Sequence, residues 1–105
     1  MRPCDLFHRK ALYHFKKKNF TNALQCATRA QDSTDETDFD ILTLQAELEL
    51  QTGDYPSALK NAGTVLRERK TSWKAVLIKA ECLYNLCEFE HALIMYHKGK
   101  VTQSV

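Results

Sequence analysis

The chain has 105 residues, 44% hydrophobic and 27% charged, a composition that suits one water-exposed domain. A formal net charge of +2 implies no bulk attraction to nucleic acid or anionic membrane, and no apolar run approaches the length of a membrane span. Three glycines and two prolines argue against a β-sandwich, and four irregularly spaced cysteines without an apolar leader read as free thiols in a reducing, cytoplasmic compartment.

In chain order, Met1 to Pro3 read as loose, and Asp5 is placed to cap a helix running to about Lys17. Phe7, Ala11, Leu12 and Phe15 recur on its inward face. The run Lys16-Lys17-Lys18 falls at the helix C-terminus, where positive charge complements the macrodipole. It reads as a solvated helix end rather than a phosphate or acidic-partner patch. Asn19 makes a corner and is expected to cap a second helix, with Phe20, Ala23, Leu24, Ala27 and Ala30 as its stripe. The polar run from Gln31 to Thr37 is a connection.

A third helix carries Ile41, Leu42, Leu44, Ala46, Leu48 and Leu50. Gly53 then tolerates a left-handed backbone at the corner, and Asp54 caps a fourth helix. Pro56 sits in the first turn of that helix, where its missing N–H costs nothing, and Ala58, Leu59, Ala62, Val65 and Leu66 form the stripe. Thr71 or Ser72 caps a fifth helix containing Trp73, Val76, Leu77, Ala80 and Leu83. A corner near Cys87-Glu88 leads to a sixth, with Phe89, Ala92, Leu93 and Tyr96 on one face expected to be buried.

These elements repeat. Phe20-x-x-Ala23-Leu24, Tyr55-x-x-Ala58-Leu59 and Phe89-x-x-Ala92-Leu93 are copies of one another, and their alanines stand 35 and 34 residues apart. Ala11, Ala46 and Ala80, nine residues before each aromatic, keep the same spacing. A period near 34, with small residues at these places and an aromatic leading the second helix, resembles the tetratricopeptide repeat. The resemblance implies an all-α fold: an α-solenoid of three antiparallel helix pairs in a right-handed superhelix. Residues 1–105 then form one domain, with repeats at 4–34, 38–70 and 72–105. Solenoids usually end in a solvating cap, and none follows the last stripe before Val105.

Residues with reactive side chains give little sign of catalysis. Cys82, Cys87, His91 and His97 have the residue types of a zinc site, but helical phase scatters them over two helices and a corner. Cys87 with His91 has no orienting third group and no oxyanion hole, and there is no glycine-rich phosphate loop. The expectation is a non-enzyme with no cofactor, no metal and no small-molecule substrate.

The repeat resemblance implies protein binding on a concave face lined by the first helix of each pair. By phase these positions are Asp5, His8, Leu12, Phe15 and Lys16, then Asp40, Thr43, Glu47, Leu50 and Gln51. The third set is Lys74, Leu77, Glu81, Tyr84 and Asn85. The partner-binding candidates among them are His8, Leu12, Phe15, Thr43, Glu47, Leu50, Lys74, Leu77, Glu81 and Tyr84. For each, the alternative is a solvated helix face or a core residue. Chaperone-binding co-chaperones of this repeat class grip an acidic tail with a carboxylate clamp of lysines, asparagines and an arginine. At those places this chain has His8, Leu12, Leu44, Lys74 and Ile78, which removes most of the charge-assisted bonds.

A narrower resemblance lies in the third repeat. Lys79-Ala80-Glu81, Leu83-Tyr84, Phe89-Glu90, Ala92-Leu93 and Tyr96-His97-Lys98-Gly99 are similar to the tetratricopeptide subunits of the outer dynein arm docking complex. Leu12-Tyr13, Phe20 and Gly53-Asp54 agree more loosely. Gly99 counts because a helix loses about 1 kcal/mol to glycine relative to alanine; otherwise it allows close packing or ends the helix. Cys87 and Glu88 depart from the glycine and aspartate of that corner, and family members are longer, as if this were an N-terminal piece or a short paralogue. The resemblance implies a scaffold with coiled-coil docking partners that attaches outer dynein arms to axonemal doublet microtubules of the cilium. The competing reading is a generic cytosolic adaptor that holds a peptide or helix in its groove.

Overall fold

A computed structural model describes the backbone of residues 3–104 and the side chains of residues 5–98. Six α-helices follow one another: α1 (Pro3–Lys16), α2 (Phe20–Asp32), α3 (Phe39–Thr52), α4 (Tyr55–Glu68), α5 (Trp73–Asn85) and α6 (Phe89–Ser104). Each odd-numbered helix packs against its successor, α2 and α4 pack against the next pair, and α3 also touches α5. The result is an elongated stack of 41 × 25 × 22 Å with α3 at its centre.

Small residues make this stacking possible. All ten alanines are buried, at 0–1% exposure, so helix backbones approach one another where they cross. Ala11, Ala23 and Ala27 meet Leu44 and Leu48 at the junction of the first pair with α3. Ala46, Ala58 and Ala62 meet Ile78 and Cys82 one repeat later. Being sandwiched, α3 buries Ile41, Leu42, Leu44, Ala46 and Leu48 all round rather than along one stripe.

The corners follow the repeat as well. Lys18, Gly53 and Cys87, again 35 and 34 apart, adopt left-handed backbone at φ 60°, 88° and 66°. Only the middle one is glycine, so the other two corners carry the steric penalty of a Cβ, about 1–2 kcal/mol each. Cys87→Gly is therefore expected to stabilise the chain by about 0.5–1 kcal/mol, after the extra freedom of an unfolded glycine is subtracted. Urea unfolding of the variant beside the parent measures this, with Gly53→Ala shifting the midpoint the other way.

Two of the expected caps form, at Asp54 and Ser72, and Asp38, which is not among those expected, makes a third. Asp38 Oδ1 accepts from the amides of Asp40 and Ile41 at 3.0 and 3.2 Å. Asp54 accepts from Ser57 N at 3.4 Å and Ser72 from Ala75 N at 3.5 Å. Pro56 lies in the first turn of α4. Two expectations at the N-terminal end are corrected. Helix α1 already begins at Pro3, so Asp5 sits in its first turn, where a negative charge favours the dipole, rather than at the cap. Asn19 precedes α2 but its side chain makes no capping bond.

The stripe of α6 is also corrected. Ala92 is buried, but Phe89 is 56% and Leu93 71% exposed. Leu24 and Leu59, the equivalents of Leu93, are partly covered by a following helix, whereas α6 packs substantially against α5 alone among the described elements. The helix continues past Gly99 to Ser104, so that glycine does not end it; its packing, like Met1, Arg2 and Val105, lies outside the described residues.

Candidate functional site

The first helices of the three pairs, α1, α3 and α5, line two adjoining hollows. The larger, about 730 Å³, is bordered by His8 and Leu12 of α1, by Asp40, Thr43, Leu44 and Glu47 of α3, and by the segment from Glu68 to Lys74. The smaller, about 180 Å³, lies between α3 and α5, with Glu47, Leu50, Gln51, Trp73, Lys74, Leu77, Ile78 and Glu81 around it. Glu47, Trp73 and Lys74 border both, which makes one groove along the stack.

Eight of the ten residues expected on this face therefore come together: His8, Leu12, Thr43, Glu47, Leu50, Lys74, Leu77 and Glu81. Leu12, also expected inward, is exposed on the groove rather than in the core. Two candidates lie elsewhere. Phe15 packs into the α1–α2 core, its ring edge-on to Phe20 at 5.7 Å, because three residues on from Leu12 fall about 60° short of a full turn and carry it round to the α2 side. Tyr84 meets Phe89 edge-on at 5.3 Å beside the α5–α6 corner, outside both hollows.

Helical phase missed the α4–α5 connection, which supplies Arg69, Lys70 and Thr71 to the larger hollow. Arg69 donates from Nη1 to Asp40 Oδ1 at 2.8 Å, and its guanidinium lies 5.5 Å from the Phe39 ring centroid. The bond ties the end of α4 to the start of α3. A connection residue obeys no helical period, so no spacing in the sequence signals this contact.

The electrostatics of the face are set by burial. Desolvation raises the Glu47 carboxyl above its ordinary pKa; Lys74 opposes this and the like charge of Glu81 adds to it. Behind the groove, Glu49 is only 7% exposed and accepts a hydrogen bond from Asn61 Nδ2 at 2.6 Å. Burial still raises its pKa, with the Asn61 bond opposing and Asp54 contributing.

A carboxyl whose folded pKa is raised holds its proton more firmly folded than unfolded. Its charged form therefore penalises the fold above that pKa, and the penalty disappears as pH falls toward the ordinary 4.5. Glu49→Gln, which keeps an acceptor for Asn61, should be more stable than the parent at pH 7, with the gap closing as pH approaches 4.5. Urea titrations of both chains at several pH values measure the difference and cancel the other carboxylates.

The residues with zinc-like chemistry are dispersed. Cys82 is buried, its thiol pushed up to about 11, first by burial and then by Glu81 and Glu49, so it stays protonated. Cys87 is exposed at its corner, His91 Nδ1 lies 3.3 Å from Glu88 Oε2, and His97 is exposed. Among the described residues no three of His, Cys, Asp and Glu are grouped to hold a metal. Nor is any described helix long and apolar enough to cross a membrane.

No protein-family model matches the chain. Solved structures match its whole architecture. The tetratricopeptide domain of Arabidopsis OM64 superposes with a TM-score of 0.90, at 16% identity, over 99% of this chain and 85% of that one. The first such domain of Spaghetti (RPAP3), solved with the HSP90 peptide SRMEEVD, gives 0.86 at 17% identity, over 96% and 79%. The fold is that of a tetratricopeptide-repeat domain.

In sequence this repeat domain is similar to outer dynein arm-docking complex subunit 4. The mouse protein is 38% identical over 80 residues, 76% of this chain, and the human protein 35% over 82 residues, 78% of this chain. The Xenopus laevis protein is 33% identical over 95 residues, or 90%. The chain spans only 13%, 11% and 16% of the lengths of those relatives. Fold and relatives together support a protein-interaction scaffold.

Proposed function

We propose that this chain is a non-catalytic scaffold module that helps attach outer dynein arms to axonemal doublet microtubules. It would work on the cytoplasmic side, at the axoneme of the cilium, by seating a helical segment of a coiled-coil docking subunit in its groove. Similarity to the docking subunits over three quarters of the chain is the observation that carries this reading. The continuous groove across α1, α3 and α5 supplies a surface for it. His8, Leu12, Thr43, Glu47, Leu50, Lys74, Leu77 and Glu81 are the proposed contacts, joined by Trp73; Phe15 acts from the core and Tyr84 from the rim.

A chaperone-tail receptor is disfavoured by the same groove. Of the five clamp positions only Lys74 carries a full positive charge, and Leu44 and Ile78 are buried. An acidic tail would lose its charge-assisted bonds there.

The test is recovery of partners from ciliated cells with the parent chain and with a Leu12→Asp, Trp73→Ala variant. Both side chains are exposed, so the fold should persist, as circular dichroism would verify. The expected result is capture of axonemal docking proteins by the parent and about tenfold less by the variant, the loss of roughly 1.4 kcal/mol. Equal recovery by both chains would remove the groove from docking. Recovery of unrelated cytosolic clients alone would leave the generic adaptor.

A further inference from the structure

We infer that the α3–α5 end of the groove is a subsite for a basic side chain, lysine or arginine, on an otherwise apolar partner segment. This rests on the reading above that the groove is the partner-binding face, and it adds the charge and polarity of what binds.

The hollow of about 180 Å³ has two kinds of wall. Glu47 and Glu81 stand 34 residues apart, at the same repeat position on neighbouring helices, so both border one space. Leu12 holds that position in the first repeat, so only the second and third repeats place a carboxylate there. Leu50, Trp73 and Leu77 provide the apolar wall.

Glu47 lacks sufficient compensation from the chain itself. Among the described residues no hydrogen bond or ion pair holds Glu47, although it is half-buried. Lys74 lies close enough to lower its pKa, but burial and Glu81 outweigh that effect. A cation from outside would favour the charged form of Glu47 and be attracted by Glu81 beside it, and the partly desolvated site strengthens the attraction. Trp73 suits such a cation as well. An indole face attracts ammonium and guanidinium groups, and the aliphatic stem of either side chain packs on apolar surface. An acidic segment would instead meet two like charges. The polarity is thus opposite to that of a carboxylate clamp.

The probes are short amphipathic helical peptides of alanine and leucine bearing arginine at one site, with matched versions bearing glutamate or glutamine. Their binding to the full chain is followed by anisotropy of a peptide label and by emission of Trp73, the one tryptophan in the sequence. The arginine peptide should bind about tenfold more tightly than the glutamate peptide and change Trp73 emission. In a Glu47→Gln, Glu81→Gln chain this preference should disappear, the arginine and glutamate peptides then binding alike. Lys74→Gln should raise affinity for the arginine peptide.

The inference is overturned if the glutamate peptide binds as well as the arginine peptide. It is also overturned if the double variant keeps the preference, or if no peptide alters Trp73 emission. If the arginine preference holds while ciliated-cell recovery shows no axonemal docking protein, the docking assignment fails and the subsite stands.

Discussion

Replacing Leu48 by alanine should cost this chain about 2–5 kcal/mol of stability, the range for truncating a buried leucine. Leu48 is fully buried at the junction where α3 meets the first helix pair, with Ala11, Ala23, Ala27 and Leu44 around it. Its four alanine and leucine neighbours sit on packed helices that cannot collapse far into the vacated space. The lost contacts add to the lost transfer energy, which puts the cost above burial alone. A matched control is built into the molecule. Leu93 undergoes the same chemical change in Leu93→Ala, but at 71% exposure it should move stability by no more than about 0.5 kcal/mol. Chemical denaturation of both variants measures the contrast. Equal losses would mean that α6 is covered in solution by something these helices do not supply.

The opposite change, Ala46→Leu, should destabilise by about 1–3 kcal/mol through overpacking. Ala46 has no exposed surface and lies where α3 crosses α4 and α5, against Ala58, Ala62, Ile78 and Cys82. A larger side chain can enter only by pushing the second and third pairs apart. Because the cause is steric, Cys82→Ala in the same chain should return part of the loss, and the two substitutions should couple rather than add. A double-mutant cycle read by urea unfolding tests this. Strict additivity would point instead to a loss that does not come from the crossing.

How far the sequence could be read depended on which property had a period. The buried alanines repeat because every helix pair must cross at close range. Ala11, Ala46 and Ala80, with Ala23, Ala58 and Ala92, were therefore enough to set the pairing and register that the structure shows. Gly53, Asp54 and Pro56 were legible for a similar reason, since their chemistry acts on the backbone next to them. Most of the groove follows from carrying phase from one repeat to the next, which places Glu47 and Glu81 on one face.

Where a residue's role depended on what lay beyond its own helix, phase failed. Leu93 has the sequence of a core leucine, but its burial requires a following helix. Phe15 and Leu12 both have inward phase, and only the position of α2 decides that the first is core and the second groove. Arg69 reaches Asp40 across 29 residues because the connection folds back over α3. The sequence by itself determined the repeat, the helix pairs and the side of the stack on which a groove forms, all local or periodic in origin. Only the tertiary structure decided which apolar residues are covered, which carboxylates share a hollow and how strongly burial perturbs them, because each depends on distances between helices.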